Sequence, residues 1–217
     1  MLDLACVDNE DEFLSLSGEW DDLWAHAYSP SVFLSHSWFR YCWPELKPRN
    51  QMRVLVVREG GKAMAIAPLM KSRLSMRGLP VDVLGFMAHP EAQLADILLR
   101  DAETSTDVLR VMLRFLLKEK ASDWQMISLD KILPDSKSLH LLSKVSDFSS
   151  LPYDVESAYE APFIRLRDGW EHYFRSRSPR FRKTVRNIAN RVTRLGQVEV
   201  RCFGTGPEIE RGMEKLF

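Results

Sequence analysis

The chain has 217 residues, enough for one well-buried domain, or one domain and part of another. Hydrophobic residues make up 45% and charged residues 28%, the balance of a soluble globular chain, and no run nears the roughly 18 apolar residues that cross a bilayer. Thirty basic and thirty acidic residues cancel, which argues against binding nucleic acid through bulk charge. The acidic start, MLDLACVDNEDEF, lacks the basic region of a secretory signal. Cys6, Cys42 and Cys202 are far apart and odd in number, so they read as reduced thiols in the cytoplasm rather than a disulfide or zinc framework.

LDLACV opens as a strand, and GEWDDLWAHA sets Trp20, Leu23, Trp24 and Ala27 at helical spacing. SHSWFRYCWPEL predicts a second short helix, capped by Ser35 or Ser37 and stopping at or just after Pro44. In QMRVLVVREGGKAMAIAPLMKSRL, two β-rich runs flank Gly60-Gly61, a pair suited to the positive φ of a tight hairpin turn. LPVDVLGF supplies a third strand, and LADILL a continuation or a fourth. TSTDVLRVMLRFLLKEKA is an amphipathic helix with Val108, Met112, Phe115 and Leu116 inward. WQMISLDKI reads as a strand, and PDSKSLHLLSKV as a helix capped by Asp135 or Ser136. YDVESAYEAPFIRL alternates like one or two strands.

Beyond Leu166 the character changes. DGWEHYFRSRS predicts a short helix with Asp168 as its cap. Ser178-Pro179 starts a longer one, whose Phe181, Val185, Ile188, Val192 and Leu195 form one apolar stripe and which Gly196 ends. Gln197 to Phe203 reads as a strand, and EIERGMEKLF as the start of a helix. Charge is polarised along the chain. Met1 to Phe39 hold eight acids and no Lys or Arg, whereas Arg165 to Arg201 hold eleven basic residues and three acids.

The order of strand, two helices, antiparallel meander, helix, strand, helix and strand resembles the GNAT acyltransferase fold. Within it, the sequence is similar to the CelD-type branch of cellulose and exopolysaccharide biosynthesis. The stretches that carry this are WDDLWAHAYSPSVFLSHSWFRYCW, RVLVVREGGKAMAIAPLM, LADILL and the Arg-rich WEHYFRSRSPRFRKTVRNIANRVTRLGQVEV, so the likeness covers nearly the whole chain. It implies an α/β (α+β) fold, a mixed and largely antiparallel sheet flanked by helices, with a basic C-terminal helical extension. Relatives of this kind, the Fem-type peptidoglycan aminoacyltransferases included, hold two GNAT units in tandem. Residues 1–166 then form a GNAT-like domain, and 167–217 open a second, incomplete unit. The acyl-donor site of such enzymes falls in later parts of that second unit. The implied donor is acetyl-CoA or another acyl-CoA, without a metal, and the implied acceptor is an amine or hydroxyl of a saccharide or cell-envelope precursor.

The family's phosphate-binding turn, Arg/Gln-x-x-Gly-x-Gly/Ala, has no match, and Gly60-Gly61 is better read as a hairpin tip. The basic helix is the candidate site. Arg182, Lys183, Arg186 and Asn187 can converge on the phosphate of a small anionic substrate, such as a nucleotide-sugar. The same charges also suit a solvated face paired with acids elsewhere. Both readings stay open, as does a non-catalytic module that recognises an anionic ligand or a protein partner. The apolar stripe needs a cover, whether from the first unit, the rest of the second, another copy of the chain or a separate protein. The five histidines have no metal-ligand spacing, Ser35-His36-Ser37 reads as a helix cap, and His89-Pro90-Glu91 reads as a turn. Catalytic and cofactor-binding residues stay unassigned.

Overall fold

A computed structural model describes residues 1–119, 123–145, 153–157, 164 and 168–200. The chain divides into two compact units, Met1–Ala161 and Pro162–Phe217.

The first unit is built on the hairpin foreseen at Gly60-Gly61. β2 (Asn50–Glu59) and β3 (Lys62–Met76) run antiparallel, and the two glycines turn between them at φ 58° and 80°. β1 (Leu2–Val7) pairs with β2, while β4 (Leu79–Phe86) pairs with β3 across a second tight turn at Arg77-Gly78. A short β5 (Leu98–Leu99) also pairs with β3, and β6 (Met126–Ser128) lies parallel to β4, giving the order β1-β2-β3-β4-β6. The sheet is therefore mixed and mainly antiparallel, as expected. Its only parallel pair among the described residues is the one linked by a helical crossover, the connection that parallel neighbours require.

Helices cover both faces. On one side α1 (Glu10–Ser15), α2 (Ser17–Ala25) and α3 (His36–Leu46) bury Phe13, Trp20, Leu23 and Phe39 against Val54, Val56 and Ile66. On the other, α4 (Ser105–Arg114) and α5 (Lys137–Leu142) bury Val108, Leu109, Met112 and Leu141 against Leu55, Val57 and Ala65. Strand alternation explains the division, because neighbouring β2 residues send their side chains into different layers. Trp20 is fully buried, and its indole N–H donates to the Leu34 carbonyl at 2.9 Å.

Local expectations meet mixed outcomes. The acidic run at Asn9 is itself a helix, α1, capped by the Asn9 side chain and favoured by three acids in its first turn. Ser35 caps α3, and Pro44 sits inside that helix, which runs on to Leu46. α5 is capped by Ser136 rather than Asp135. Residues 153–157 carry no strand, so YDVESAYEAPFIRL fails over that part, and its residues 158–163 and 165–166 lie outside the described residues. Residues 197–200 are irregular where a strand was expected, and positions 201–217, with the closing helix expected there, also lie outside.

The second unit is described by a helical hairpin, α6 (Gly169–Ser176) and α7 (Pro179–Leu195), joined by Arg177-Ser178. Ser178 caps α7 by accepting from the Phe181 N–H at 3.2 Å, and Pro179 takes the first turn, where its missing N–H is harmless. Gly196 ends the helix at φ 152°, a conformation suited to glycine. Asp168 makes no cap hydrogen bond to α6, and its carboxylate lies 4.0 Å from His172 instead.

Candidate functional site

Two places have the chemistry of a site: the carboxyl ends of the parallel pair β4/β6 in the first unit, and the basic helix of the second. Between β4 and β6, the backbones approach closely at Gly85. A Cβ there would meet the Ser128 carbonyl oxygen at 3.0 Å, and Gly85↔Ser128 is the last pair of that ladder. Beyond it the two strands end, and in open α/β sheets such carboxyl ends are where ligands gather.

The start of α4 lies on the crossover that follows. An acyl-CoA would need bare backbone N–H groups there to meet its pyrophosphate. The residues present do not fit. No glycine occurs between Gly85 and Gly169. The buried Ser105 hydroxyl turns back onto the Arg100 and Ala102 carbonyls at 3.1 and 2.6 Å, and Asp101, Glu103 and Asp107 bring negative charge to this end. The Thr104 hydroxyl is enclosed without a partner among the described residues.

The neighbouring polar groups are likewise committed to one another. Arg100, 7% exposed, donates to the Ala63 carbonyl at 2.9 Å and to Asp22 at 2.5 Å, and that bond holds the Asp22 carboxyl below its ordinary value. Tyr28 is pushed above its usual value by a hydrogen bond to Asp101 and by burial, so its phenol stays a donor, and the Lys137 ammonium sits 4.9 Å from its ring centre. Asp96 accepts from Ser136 at 2.6 Å, from Ser138 and from the Ile97 N–H at 2.7 Å, and burial raises its pKa despite those bonds. The cavity between Tyr28, Asp96, Lys137 and Ser138 measures about 10 Å³, room for about one water. An open hollow of about 400 Å³ at Asp8, Glu10, Lys47 and Arg53 is spanned by the Lys47–Glu10 ion pair at 3.1 Å.

His36 and His89 are engaged in the fold. His36 is buried, with Nε2 2.9 Å from the Phe13 carbonyl, as befits a packing residue. Nδ1 of His89 accepts from the Glu91 N–H at 3.2 Å, so Nε2 carries the proton and donates to Glu45 at 3.1 Å. Both ring nitrogens are occupied. No group of three metal-ligating side chains occurs among the described residues.

α7 divides the four candidate residues into two sets. Arg182 donates to the Arg175 carbonyl at 2.8 Å, and the Arg186 guanidinium lies 5.5 Å from the centre of the Phe174 ring. Both therefore face α6. Lys183 and Asn187 each follow by one residue, about 100° further round the helix. Their side chains make no hydrogen bond or ion pair among the described residues. Arg180, Arg191 and Arg194 share that wider polar side, and α7 contains no acid. Sequence reasoning missed the aromatic half of the hairpin: Trp170 stacks on Phe174 at 5.4 Å, Tyr173 meets Phe181 edge-on at 6.3 Å, and Arg177 lies 4.7 Å from the Tyr173 ring centre. The i,i+4 spacing of Trp170 and Phe174 was the available signal.

No protein-family model matches the sequence, and no curated protein does either. Among solved structures, an aminoglycoside acetyltransferase from an uncultured soil metagenomic sample aligns with 76% of this chain and 99% of its own, at TM-score 0.48 and 10% identity. A ribosomal-protein-alanine N-acetyltransferase from Brucella melitensis biovar Abortus aligns with 75% of this chain and 100% of its own, at TM-score 0.43 and 14% identity. A GNAT family acetyltransferase from Staphylococcus aureus aligns with 75% and 98%, at TM-score 0.43 and 8% identity. At such scores and identities, these likenesses carry no conclusion about activity.

Proposed function

We propose that the chain serves acyl transfer as part of a tandem GNAT protein of the CelD type, related to Fem-type transferases. It would act on an amine or hydroxyl of a saccharide or cell-envelope precursor, with an acyl-CoA as donor. In this reading the first unit is a scaffold without an acyl-donor site of its own, and α7 holds the anionic part of the acceptor. One observation carries the proposal: a β4-α4-β6 parallel crossover set into an antiparallel meander, the element order of the family, with a start to α4 that rejects a pyrophosphate. Acyl-CoA would supply the thioester that the acceptor attacks, and no described residue is assigned to hold it.

Within α7, Lys183 and Asn187 are the uncommitted donors, with Arg186 at the edge of the same polar side. A phosphate bound there gains charge-assisted hydrogen bonds. A second reading is a non-catalytic module that recognises an anionic ligand or partner, and the carboxylates around the start of α4 favour it. Calorimetry of the chain with acetyl-CoA and with a UDP-sugar tests both. We expect no acetyl-CoA binding at low-micromolar levels and measurable UDP-sugar binding, weakened about tenfold or more by Lys183→Ala. Acetyl-CoA binding near a micromolar Kd would place the donor site in this chain and defeat the scaffold reading. UDP-sugar affinity untouched by Lys183→Ala and by Arg186→Ala would remove α7 from the site.

A further inference from the structure

β4 and β5 occupy one line of the sheet. β3 pairs with β4 from Met76↔Leu79 to Leu69↔Phe86, and then with β5 at Ile66↔Leu98 and Ala65↔Leu99. Met87 still donates to the Pro68 carbonyl at 2.7 Å, so the chain leaves the sheet at residue 88 and returns to the same lane at Leu98. The ten residues between are an excursion, made where the parallel ladder of β4 and β6 stops at Gly85↔Ser128. A ligand entering between the carboxyl ends of the two parallel strands would need that space.

The excursion is bonded to the segment that follows β6. Ala95 N–H donates to the Lys131 carbonyl at 3.1 Å. The Lys131 ammonium donates to three backbone carbonyls, those of His89, Pro90 and Ala92, at 3.1, 3.1 and 3.0 Å. An ammonium has three protons, and all three are matched here to peptide oxygens that an excursion from a sheet leaves without ladder partners. Lys131 reaches them from a backbone at φ 63°, a conformation uncommon for lysine. Asp96 ties the far end of the excursion to Ser136 and Ser138 at the start of α5.

We propose that residues 88–97 are a latched plug in the ligand crevice of the first unit, with Lys131 and Asp96 as the two halves of the latch. This deepens the reading of the first unit as a scaffold and rests on it: the crevice is filled by the chain itself, whose Ala95 and Ile97 join the same core cluster as Phe86, while Leu94 packs against the cluster that holds Met87. Releasing either half frees the excursion while the sheet stays intact.

Amide hydrogen exchange on the wild type, Lys131→Met and Asp96→Ala decides this. We expect peptides covering 88–97 to be protected in the wild type and to exchange at least about tenfold faster in Lys131→Met, with β2 and β3 unchanged. Binding of a hydrophobic dye should rise with that release. Asp96→Ala should release the 95–97 end in the same way, which keeps the test valid if one variant folds poorly. Three results would overturn the plug: wild-type exchange at the rate of an open loop, no acceleration in either variant, or acceleration spread through the whole first unit. Acetyl-CoA binding by the wild type bears separately on the scaffold reading, and the exchange data decide the plug whichever way that titration falls.

Discussion

The two units treat charge in opposite ways. In the first, charged groups find partners in the same fold: Arg100 with Asp22, Arg58 with Glu19 through two bonds of 2.7 Å, Lys131 with three carbonyls and Asp96 with two hydroxyls. In the second, α7 presents six basic residues with no acid in the helix, and its main contacts to α6 run through rings and one carbonyl. Charges matched internally hold a shape, whereas unmatched ones of one sign attract a ligand or partner of the other. The contrast is what the proposed division, support in the first unit and recognition in the second, would produce.

The largest effect should come from the support side. Trp20 is fully buried, meets Phe13, His36 and Phe39 at ring centroid distances of 5.9, 5.5 and 5.4 Å, and donates to the Leu34 carbonyl. Trp20→Ala removes that volume and orphans the carbonyl, so we expect a loss of about 3–5 kcal/mol in urea unfolding of the first unit. The helicity of an isolated α6–α7 peptide serves as the baseline for the second unit. A loss under about 1 kcal/mol would mean that the α1–α3 layer is not the support described.

Much of this support was legible in the sequence. Gly60-Gly61 between two β-rich runs marks the hairpin, and the periodicities of Trp20/Leu23 and Val108/Met112 mark the inward faces of α2 and α4. The network around Asp96 and Lys131 was not legible. Its bonds join residues some forty positions apart, and nothing local distinguishes a lysine that caps carbonyls from one in solvent. The basic face of α7 could be read as a pattern, but its split could not, because the split depends on where the Arg175 carbonyl and the Phe174 ring lie. β6 was overestimated in length for a related reason: β propensity in WQMISLDKI is strong, yet only Met126–Ser128 finds a partner strand.

An intermediate effect should separate the latch from ordinary surface charge. Asp96 titrates above its ordinary 3.8 in the folded chain because of burial. An acid whose folded value is raised holds its proton more tightly folded than unfolded. Its contribution therefore favours folding most in acid, and declines as pH rises from the unfolded value through the raised one. Asp96→Asn removes this titration. Urea midpoints at intervals from pH 4 to 7 should show the wild type losing ground to the variant as pH rises. A constant difference across that range would mean that Asp96 titrates alike in both states, against its burial.

The smallest effect sharpens the other side of the comparison. Arg186 over the Phe174 ring is the one candidate ligand residue whose guanidinium also packs against an aromatic side chain. A cation–π contact at an exposed site is worth about 0.5–1 kcal/mol, while an exposed ion pair is worth about 0–1 kcal/mol and fades in salt. Lys183 has no such contact among the described residues. In thermal melts of the α6–α7 helical signal, Arg186→Ala should lower the midpoint slightly, whereas Lys183→Ala should leave it unchanged. For anion affinity the order should reverse, because Lys183 is free to turn toward a phosphate and Arg186 must first leave its ring. If Arg186→Ala instead gives the larger loss of affinity with no change in the melt, the guanidinium serves the ligand rather than the hairpin, and the division of α7 into a packed side and a binding side fails.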